Sequence, residues 1–438
     1  MVTGAIKPTH SGDVVPYPPP PEACEGQAPS ILEIPPGDYY IREFLSLIEP
    51  THALRKHGYS FAQLTDEDIH QKRRCSKCNQ TIQQLSKGLQ QAITHRSQQL
   101  LSHPPDTPYK TLPSMIIPYE NGSSGIQYCT IECHYHSAPV DRATKCWLCC
   151  GKHVSEAKPC RSSDKHGIRE YRPGELERLH QIQPTPPFRH WDSDRRMNAK
   201  FAVAIDCEMG TARSGDSELI RLSAIDYLTG EVLINNLVKP DQPMQHLNTK
   251  WSGVTWDQMN EAVREKTTLK GKTGARKLLW KFVGPDTILV GHSVHNDLKA
   301  LKWLHTKVVD SYVVEHKMIQ EKKAAEAREK EIAEAAARRG EERLLETTGL
   351  ATSSMPTSVA DAQTMGDSIN PTEGEPKKKK KKGTGDLALK TLLKKYLDTD
   401  IQTRGNQGHD SLEDATAARD LVHWMVMRRL QEKYGVLM

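Results

Sequence analysis

The stretch FAVAIDCEMG, residues 201–210, indicates the fold and the chemistry of this chain. A run of apolar and small residues leads to Asp206, and Glu208 follows two positions later. Because residues i and i+2 of a strand point to the same face, both carboxylates leave the end of one buried strand side by side. Such neighbours repel each other unless cations lie between them. Taken alone the pattern is weak, since Asp-x-Glu also occurs at ordinary strand ends.

The segments after residue 210 predict an α/β domain with a mixed sheet. A second strand at 219–227 and a third at 231–238 are joined by a Thr-Gly turn, which is typical of a hairpin. Strands then alternate with helices, a pattern that favours a mixed sheet flanked by helices. The predicted segments are helices at 275–283, 295–304, 387–397 and 411–434, and short strands at 287–290 and 307–310.

This domain, predicted over 198–313 and 386–434, is interrupted by an insertion at 314–385. Residues 314–349 are rich in Ala, Glu, Lys and Arg with little apolar stripe, which predicts an exposed helix supported by i,i+4 charge pairs. Residues 350–385 are rich in Ser, Thr, Pro and Gly and are expected to be disordered.

The bulk composition indicates an intracellular protein of several segments. The 438 residues allow two or three domains, while 37% apolar and 6% aromatic residues are low for a fully globular chain. The sequence contains no run of 18 apolar residues, which argues against a membrane span. The first 22 residues have neither the basic start nor the apolar stretch of a secretory signal. Residues 1–35 are proline-rich and are expected to form a disordered arm.

The net charge of +5 is concentrated in six consecutive lysines at 377–382. Such a run favours nuclear import or contact with a polyanion, and a merely solvated tail is the alternative. We therefore expect a nuclear protein, with the cytoplasm as the alternative.

Eight of the ten cysteines lie between Cys75 and Cys160, among histidines. Since intracellular thiols stay reduced, this clustering favours metal binding over disulfides. Within the segment 36–170, predicted to hold a leading helix and this module, the zinc candidates are Cys75, Cys78, Cys133, His136, Cys149, Cys150, Cys160 and His166. Cys75-x-x-Cys78 is expected to form one half of a site and Cys133-x-x-His136 the other, with a second site open. For Cys24, Cys129 and Cys207 we prefer buried, unligated thiols. Residues 171–197 are interpreted as a linker.

Further carboxylates and a histidine follow downstream, each with an ordinary structural explanation. Asp297 is expected in the first turn of a helix, where the helix dipole favours an acidic residue. Asp414 can form half of a capping box with Ser411 as N-cap, and His409 can be an exposed loop histidine.

Together, four carboxylates from ends of core elements form a costly cluster unless metal ions compensate them. Two divalent ions about 4 Å apart suit such a cluster and in-line phosphoryl displacement. Oxygen ligands favour Mg²⁺ or Mn²⁺. Because the ordinary pKa of a histidine is near neutrality, we expect His409 to be the general base that takes a proton from the attacking water.

The residues of these motifs resemble those of a known family. AIDCEM (204–209), LVKP (237–240), SGVT (252–255), VGHSVHNDLKAL (290–301), LKTLLKKYL (389–397) and HDSLEDA (409–415) are similar to eukaryotic Rex-type RNA exonucleases. These belong to the DEDDh 3′→5′ exonucleases, which have an RNase H-like fold. The Cys/His module resembles the one preceding the nuclease in larger Rex proteins, with looser spacing.

The resemblance implies roles for individual residues. Asp206 would bridge two metals, Glu208 and Asp414 would complete the first site, Asp297 would hold the second, and His409 would deprotonate the nucleophilic water. The substrate-binding residues implied are Met209, Ser252, Gly253, Thr255, His292 and Asn296. The substrate would be a single-stranded RNA 3′ end, and the products would be nucleoside 5′-monophosphates. A DNA 3′→5′ exonuclease and a catalytically silent module that binds RNA or protein are the alternatives.

Overall fold

A computed structural model describes the following residues: 34, 37–88, 90–91, 127–128, 132–141, 143–156, 158–347, 386–403, 405 and 408–435. The predicted proline-rich arm, apart from residue 34, and the lysine run lie outside the described residues, as do Cys24 and Cys129.

The helices used below are Asp38–Leu45 (α1), Thr51–Lys56 (α2), Asp66–His70 (α3), Glu175–His180 (α4), Ser193–Asn198 (α5), Thr249–Ser252 (α6), Trp256–Arg264 (α7), Gly271–Leu279 (α8), His295–Leu301 (α9), Ser311–Thr347 (α10), Leu389–Leu397 (α11) and Ser411–Tyr434 (α12). The strands are Gln127–Tyr128 (β1), His166–Gly167 (β2), Gln183–Pro184 (β3), Ala202–Ala212 (β4), Ser217–Asp226 (β5), Val232–Lys239 (β6), Met244–His246 (β7), Leu269–Lys270 (β8), Ile288–Gly291 (β9), Trp303–Leu304 (β10) and Val308–Asp310 (β11).

The main sheet has the strand order β11-β9-β4-β5-β6-β8, and β7 pairs with the far end of β4. Strands β4, β5 and β6 form an antiparallel meander. Strand β9 runs parallel to β4, and β11 runs parallel to β9. The predicted fold class, an RNase H-like mixed sheet flanked by helices, is confirmed.

Helices cover both faces of the sheet and determine where its polar residues emerge. On one face Ala204 packs in a cluster with α1, α11 and α12. On the other face Ile205 packs with α8 and α9. Because side chains alternate along a strand, Asp206 and Glu208 belong to the α12 face, and α12 carries Asp414 in its first turn. The sheet therefore directs three carboxylates to one place.

Two elements differ from the sequence prediction. Strand β4 continues to Ala212 because β5 and β7 pair with it, so Asp206 and Glu208 lie within the strand rather than at its end. Helix α9 ends at Leu301, since Lys302 adopts a left-handed φ of 49° and the next two residues pair with β3.

The segment 171–197, interpreted as a linker, packs along the domain. Helix α4 buries Leu176 and Leu179, and β3 pairs in parallel with β10. The Arg195 Nε donates to the Trp280 carbonyl oxygen at 2.6 Å. The linker interpretation therefore fails for these residues, because their pairing partners are distant in sequence and leave no local periodicity.

Helix α10 begins in the core and continues into solvent. Val313, Val314 and Glu315 are buried, whereas every residue from 321 to 339 is exposed. The i,i+4 pair Lys322–Glu326 lies on the exposed part, with 3.9 Å between charged atoms. The predicted insertion boundary at 314 thus falls inside a buried turn. None of the helices in the described part of the chain combines the length and apolar character that a membrane crossing requires.

Candidate active site

Three carboxylates converge between strand β4 and helix α12. Asp206, Glu208 and Asp414 each place an oxygen within 4.8 Å of the others. Asp414 is buried at 6% exposure, and Glu208 at 9%. Oxygen-only donors at this spacing fit a hard divalent cation.

The cluster is electrostatically unfavourable without a cation. Burial raises the pKa of Asp206 well above its usual range, and Asp297, Asp414 and Glu208 raise it further. Burial and then Asp414 raise the pKa of Glu208 to about 8. Three ionised carboxylates side by side are therefore unfavourable here unless a cation compensates their charge.

Asp297 lies beside this group in the first turn of α9. It is 4% exposed, and its Oδ1 accepts a hydrogen bond from the backbone N–H of Cys207 at 2.9 Å. The side chain of Cys207 is buried in the core on the face opposite to Asp206. The strand that carries the first two carboxylates thus holds the fourth through its own backbone.

His409 approaches the cluster from the loop before α12. Its Nδ1 lies 3.5 Å from Asp414 Oδ2, and this contact raises the pKa of His409 while burial lowers it. The backbone N–H of His409 donates to the carbonyl oxygen of Trp251 at 2.7 Å. A Cβ on Gly408, whose φ is +85°, would lie 2.2 Å from the Gly253 nitrogen. The histidine is therefore held against helix α6.

Several neighbours of the site were missed by sequence reasoning. Gln402 Nε2 donates to both carboxylate oxygens of Asp414 at 3.1 Å. Asp410, rather than Ser411, is the N-cap of α12, and it accepts from the Leu412 N–H. Ser411 instead pairs with the Ser223 hydroxyl at 2.7 Å, so its predicted capping role is wrong. Gln402 lies in a loop without any pattern that could have indicated it.

The turn between α6 and α7 brings together three implied substrate-binding residues. Ser252 is fully buried and its hydroxyl donates to the Leu247 carbonyl oxygen. Gly253 has a φ of +65°, and Thr255 caps α7 in a reciprocal box with Gln258. Both hydroxyls are therefore used in holding the turn.

The other three implied substrate-binding residues are spread over the rim. The carbonyl oxygen of Met209 accepts from Asn248 Nδ2 at 3.0 Å. His292 Nδ1 pairs with the Ser311 hydroxyl at 2.9 Å, and burial lowers the His292 pKa. Asn296 is exposed on α9.

The Cys/His candidates form two separate groups that can each hold a metal ion. The outer cluster is Cys75, Cys78, Cys133 and His166, and the inner cluster is His136, Cys149, Cys150 and Cys160. The expectation that Cys133 and His136 serve one site is wrong. Cys133 Sγ lies beside Cys75 Sγ of the outer cluster, whereas His136 Nδ1 lies beside Cys149 Sγ of the inner cluster.

The distances within both clusters fit tetrahedral zinc. Ligands at about 2.0–2.3 Å from a zinc ion lie about 3.8 Å apart for two sulfurs and about 3.6 Å apart for sulfur and nitrogen. In the outer cluster, Cys75 Sγ is 3.7 Å from Cys133 Sγ, and Cys78 Sγ is 3.4 Å from His166 Nδ1. In the inner cluster, the corresponding distances include 3.5 Å from Cys149 Sγ to His136 Nδ1 and 3.5 Å from Cys160 Sγ to Cys149 Sγ.

The outer cluster is attached to the hairpin that joins β4 and β5. Arg74 forms an ion pair with Asp216, and Asn79 Nδ2 donates to the Arg213 carbonyl oxygen at 2.8 Å. These two residues flank the Cys75–Cys78 pair directly. The module is therefore docked on the strand that carries Asp206.

Comparison with known proteins finds similarity to curated RNA exonucleases. No family model matches the chain. RNA exonuclease 3 of Emericella nidulans is 26% identical over 310 residues, which cover 66% of this chain and 38% of that protein. RNA exonuclease 3 of Candida albicans is 24% identical over 309 residues, which cover 69% of this chain and 55% of that protein. The chain thus spans about half or less of the length of these curated relatives.

A solved structure is also similar, at a low level. The Neurospora crassa Pan2 catalytic unit, comprising protease and nuclease domains, matches with a TM-score of 0.33 and 16% identity, over 60% of this chain and 31% of that one. The sequence matches agree with the resemblance seen in the motifs, since the chain is similar to curated eukaryotic RNA exonucleases.

Proposed function

We propose that this protein is a metal-dependent 3′→5′ exoribonuclease that trims single-stranded RNA 3′ ends and releases nucleoside 5′-monophosphates. One observation carries the proposal: Asp206, Glu208 and Asp414 meet within 4.8 Å with His409 beside them. Buried carboxylates this close together repel each other and do not add to the apolar core, so a cation-dependent reaction is their natural explanation.

The catalytic cofactors are proposed to be two Mg²⁺ or Mn²⁺ ions. Asp206, Glu208 and Asp414 would hold the first, and Asp206 with Asp297 the second. When bound, such ions stabilise charge on the attacking and leaving oxygens of phosphodiester hydrolysis. The sulfur-rich clusters of the module suit Zn²⁺ instead, in a structural role.

His409 acts as the general base. Its Nδ1 faces Asp414, so Nε2 is the nitrogen left to accept the proton of the attacking water. The contact between the backbone N–H and Trp251 keeps the imidazole at the mouth of the carboxylate cluster.

The exonuclease domain is proposed to comprise 198–320 and 386–434, with 171–197 packed along it and 321–385 as an insertion. The protein names of its relatives support RNA over DNA as the substrate. The lysine run supports a nuclear protein, with the cytoplasm as the alternative.

One assay tests the proposal. Purified protein with Mg²⁺ or Mn²⁺ is given RNA and DNA of equal sequence, labelled at either end. We expect immediate release of a labelled mononucleotide from 3′-labelled RNA and a shortening ladder from 5′-labelled RNA. Asp206→Asn serves as the inactive control. Cleavage from the 5′ end, internal cleavage, or hydrolysis of the RNA by Asp206→Asn at the rate of the wild type would contradict the proposal.

A further inference from the structure

Trp251 is an exposed aromatic residue at the mouth of the candidate active site. It is 62% exposed, although its own carbonyl oxygen accepts the hydrogen bond that holds His409. Its ring lies edge-on to the His409 imidazole, with 6.3 Å between the ring centroids. A large apolar side chain is therefore in water next to the proposed general base.

The rest of the turn faces inward. Across residues 249–255, Lys250 and Trp251 are the exposed positions. The hydroxyls of Ser252 and Thr255 bond within the protein. Any contact that this turn makes with a substrate therefore falls first on the Lys250 and Trp251 side chains.

A cation accompanies this ring. The Lys250 Nζ lies 5.3 Å from the Trp251 ring centroid. Single-stranded nucleic acids are bound by this combination, in which bases stack on aromatic rings and positive charges follow the phosphates. An exposed aromatic ring with an adjacent ammonium group thus suits a nucleotide better than an apolar ligand.

Resting on the proposed function, we propose that Trp251 is a stacking platform for a nucleobase at or next to the scissile phosphate, and that Lys250 contacts the neighbouring backbone. Stacking on a free ring face tolerates any base, because every base has a π-face. An unpaired nucleotide is favoured, since its base can turn onto the ring, whereas a base inside a duplex is already stacked on both sides. The platform therefore favours single-stranded ends without selecting a sequence.

The test compares Trp251→Ala with Trp251→Phe and Trp191→Ala. Trp191 is a matched control: it is 61% exposed, with the Arg189 guanidinium 5.4 Å from its ring, and it lies on another segment. On single-stranded RNA we expect Trp251→Ala to raise KM about tenfold to hundredfold with kcat changed by no more than a few-fold. Trp251→Phe should recover most of the loss, and Trp191→Ala should behave as wild type.

Substrates with an abasic nucleotide at the last or the penultimate position locate the contact. At one of these positions the penalty of Trp251→Ala should disappear, because no base remains to stack. An equal penalty on every substrate, or a fall in kcat with KM unchanged, overturns the platform and leaves a residue that only positions His409. Absence of hydrolysis by the wild type would instead contradict the proposed function.

Discussion

The carboxylate site and the Cys/His module present two different relations between ligands and fold. Asp206, Glu208 and Asp414 lie on a long strand and a long helix, and large apolar clusters pack beneath both. In its described residues the module consists mostly of turns, isolated bridges and two-residue strands, and Cys75 and Cys133 are themselves among the buried side chains there. The sheet thus has an apolar core of its own, whereas in the module the proposed metal ions would take the place of a core.

This difference separates chemistry from stability. Loss of a carboxylate removes electrostatic repulsion from a domain whose apolar core does not depend on that side chain. Loss of a cysteine removes a ligand from a region that has little else to hold it. The predictions below use that contrast, from the largest expected effect to the smallest.

Asp206→Asn should abolish hydrolysis, because it removes the ligand that both cations would share. The melting temperature should stay equal or rise, since one buried charge leaves a repelling cluster. Activity on labelled RNA and thermal unfolding without added Mg²⁺ measure the two effects. Residual activity above about a hundredth of wild type would contradict the two-metal assignment.

His409→Ala should lower kcat by about 10²–10⁴-fold, as expected from loss of a general base. The fold should be intact, since the side chain is partly exposed. His246→Ala provides a control at another exposed position. An unchanged kcat would remove the proposed role of His409.

Cys75→Ser should reduce the bound zinc from two ions per chain to one and make the module susceptible to proteolysis. The effect on activity should be below about tenfold, and it would arise because Arg74 and Asn79 no longer hold the β4–β5 hairpin. Metal content and limited proteolysis measure the outcome. Cys146→Ser is the matched control, since Cys146 belongs to neither cluster. Full zinc content in Cys75→Ser would show that the outer cluster is not a metal site.

Deletion of 321–385, with a short Gly-Ser connection, should leave hydrolysis of a short single strand within about twofold. The residues 321–339 are exposed and contribute nothing to the core. A deletion from 314 is the informative partner, because it removes buried Val314 and also Glu315, which the Tyr396 hydroxyl contacts at 2.5 Å. It should destabilise the domain, and loss of activity in the shorter deletion would place the insertion at the site.

Sequence reasoning succeeded where a rule of local geometry applied. The two-residue alternation placed Asp206 and Glu208 on one face and Cys207 on the other, and the position of Asp414 in a first turn followed from the helix start. It failed where distant segments decide the outcome. The pairing of β3 with β10 and the donation from Gln402 leave no local pattern. The prediction that Cys133 and His136 share one site also failed, because i,i+3 spacing is equally compatible with one site or two.

The nesting of the two clusters has a consequence for the order of assembly. All ligands of the inner cluster lie between Cys133 and His166, which both belong to the outer one. His136 and Cys149 are 13 residues apart, whereas Cys75 and Cys133 are 58 apart, so joining the outer pair costs about 1 kcal/mol more in loop-closure entropy. The inner cluster is thus favoured to load first and to shorten the effective loop for the outer one. All ligands of both clusters precede the β4–β5 hairpin in the sequence, so Arg74 and Asn79 can attach the module to that hairpin only after every one of these ligands has been synthesised.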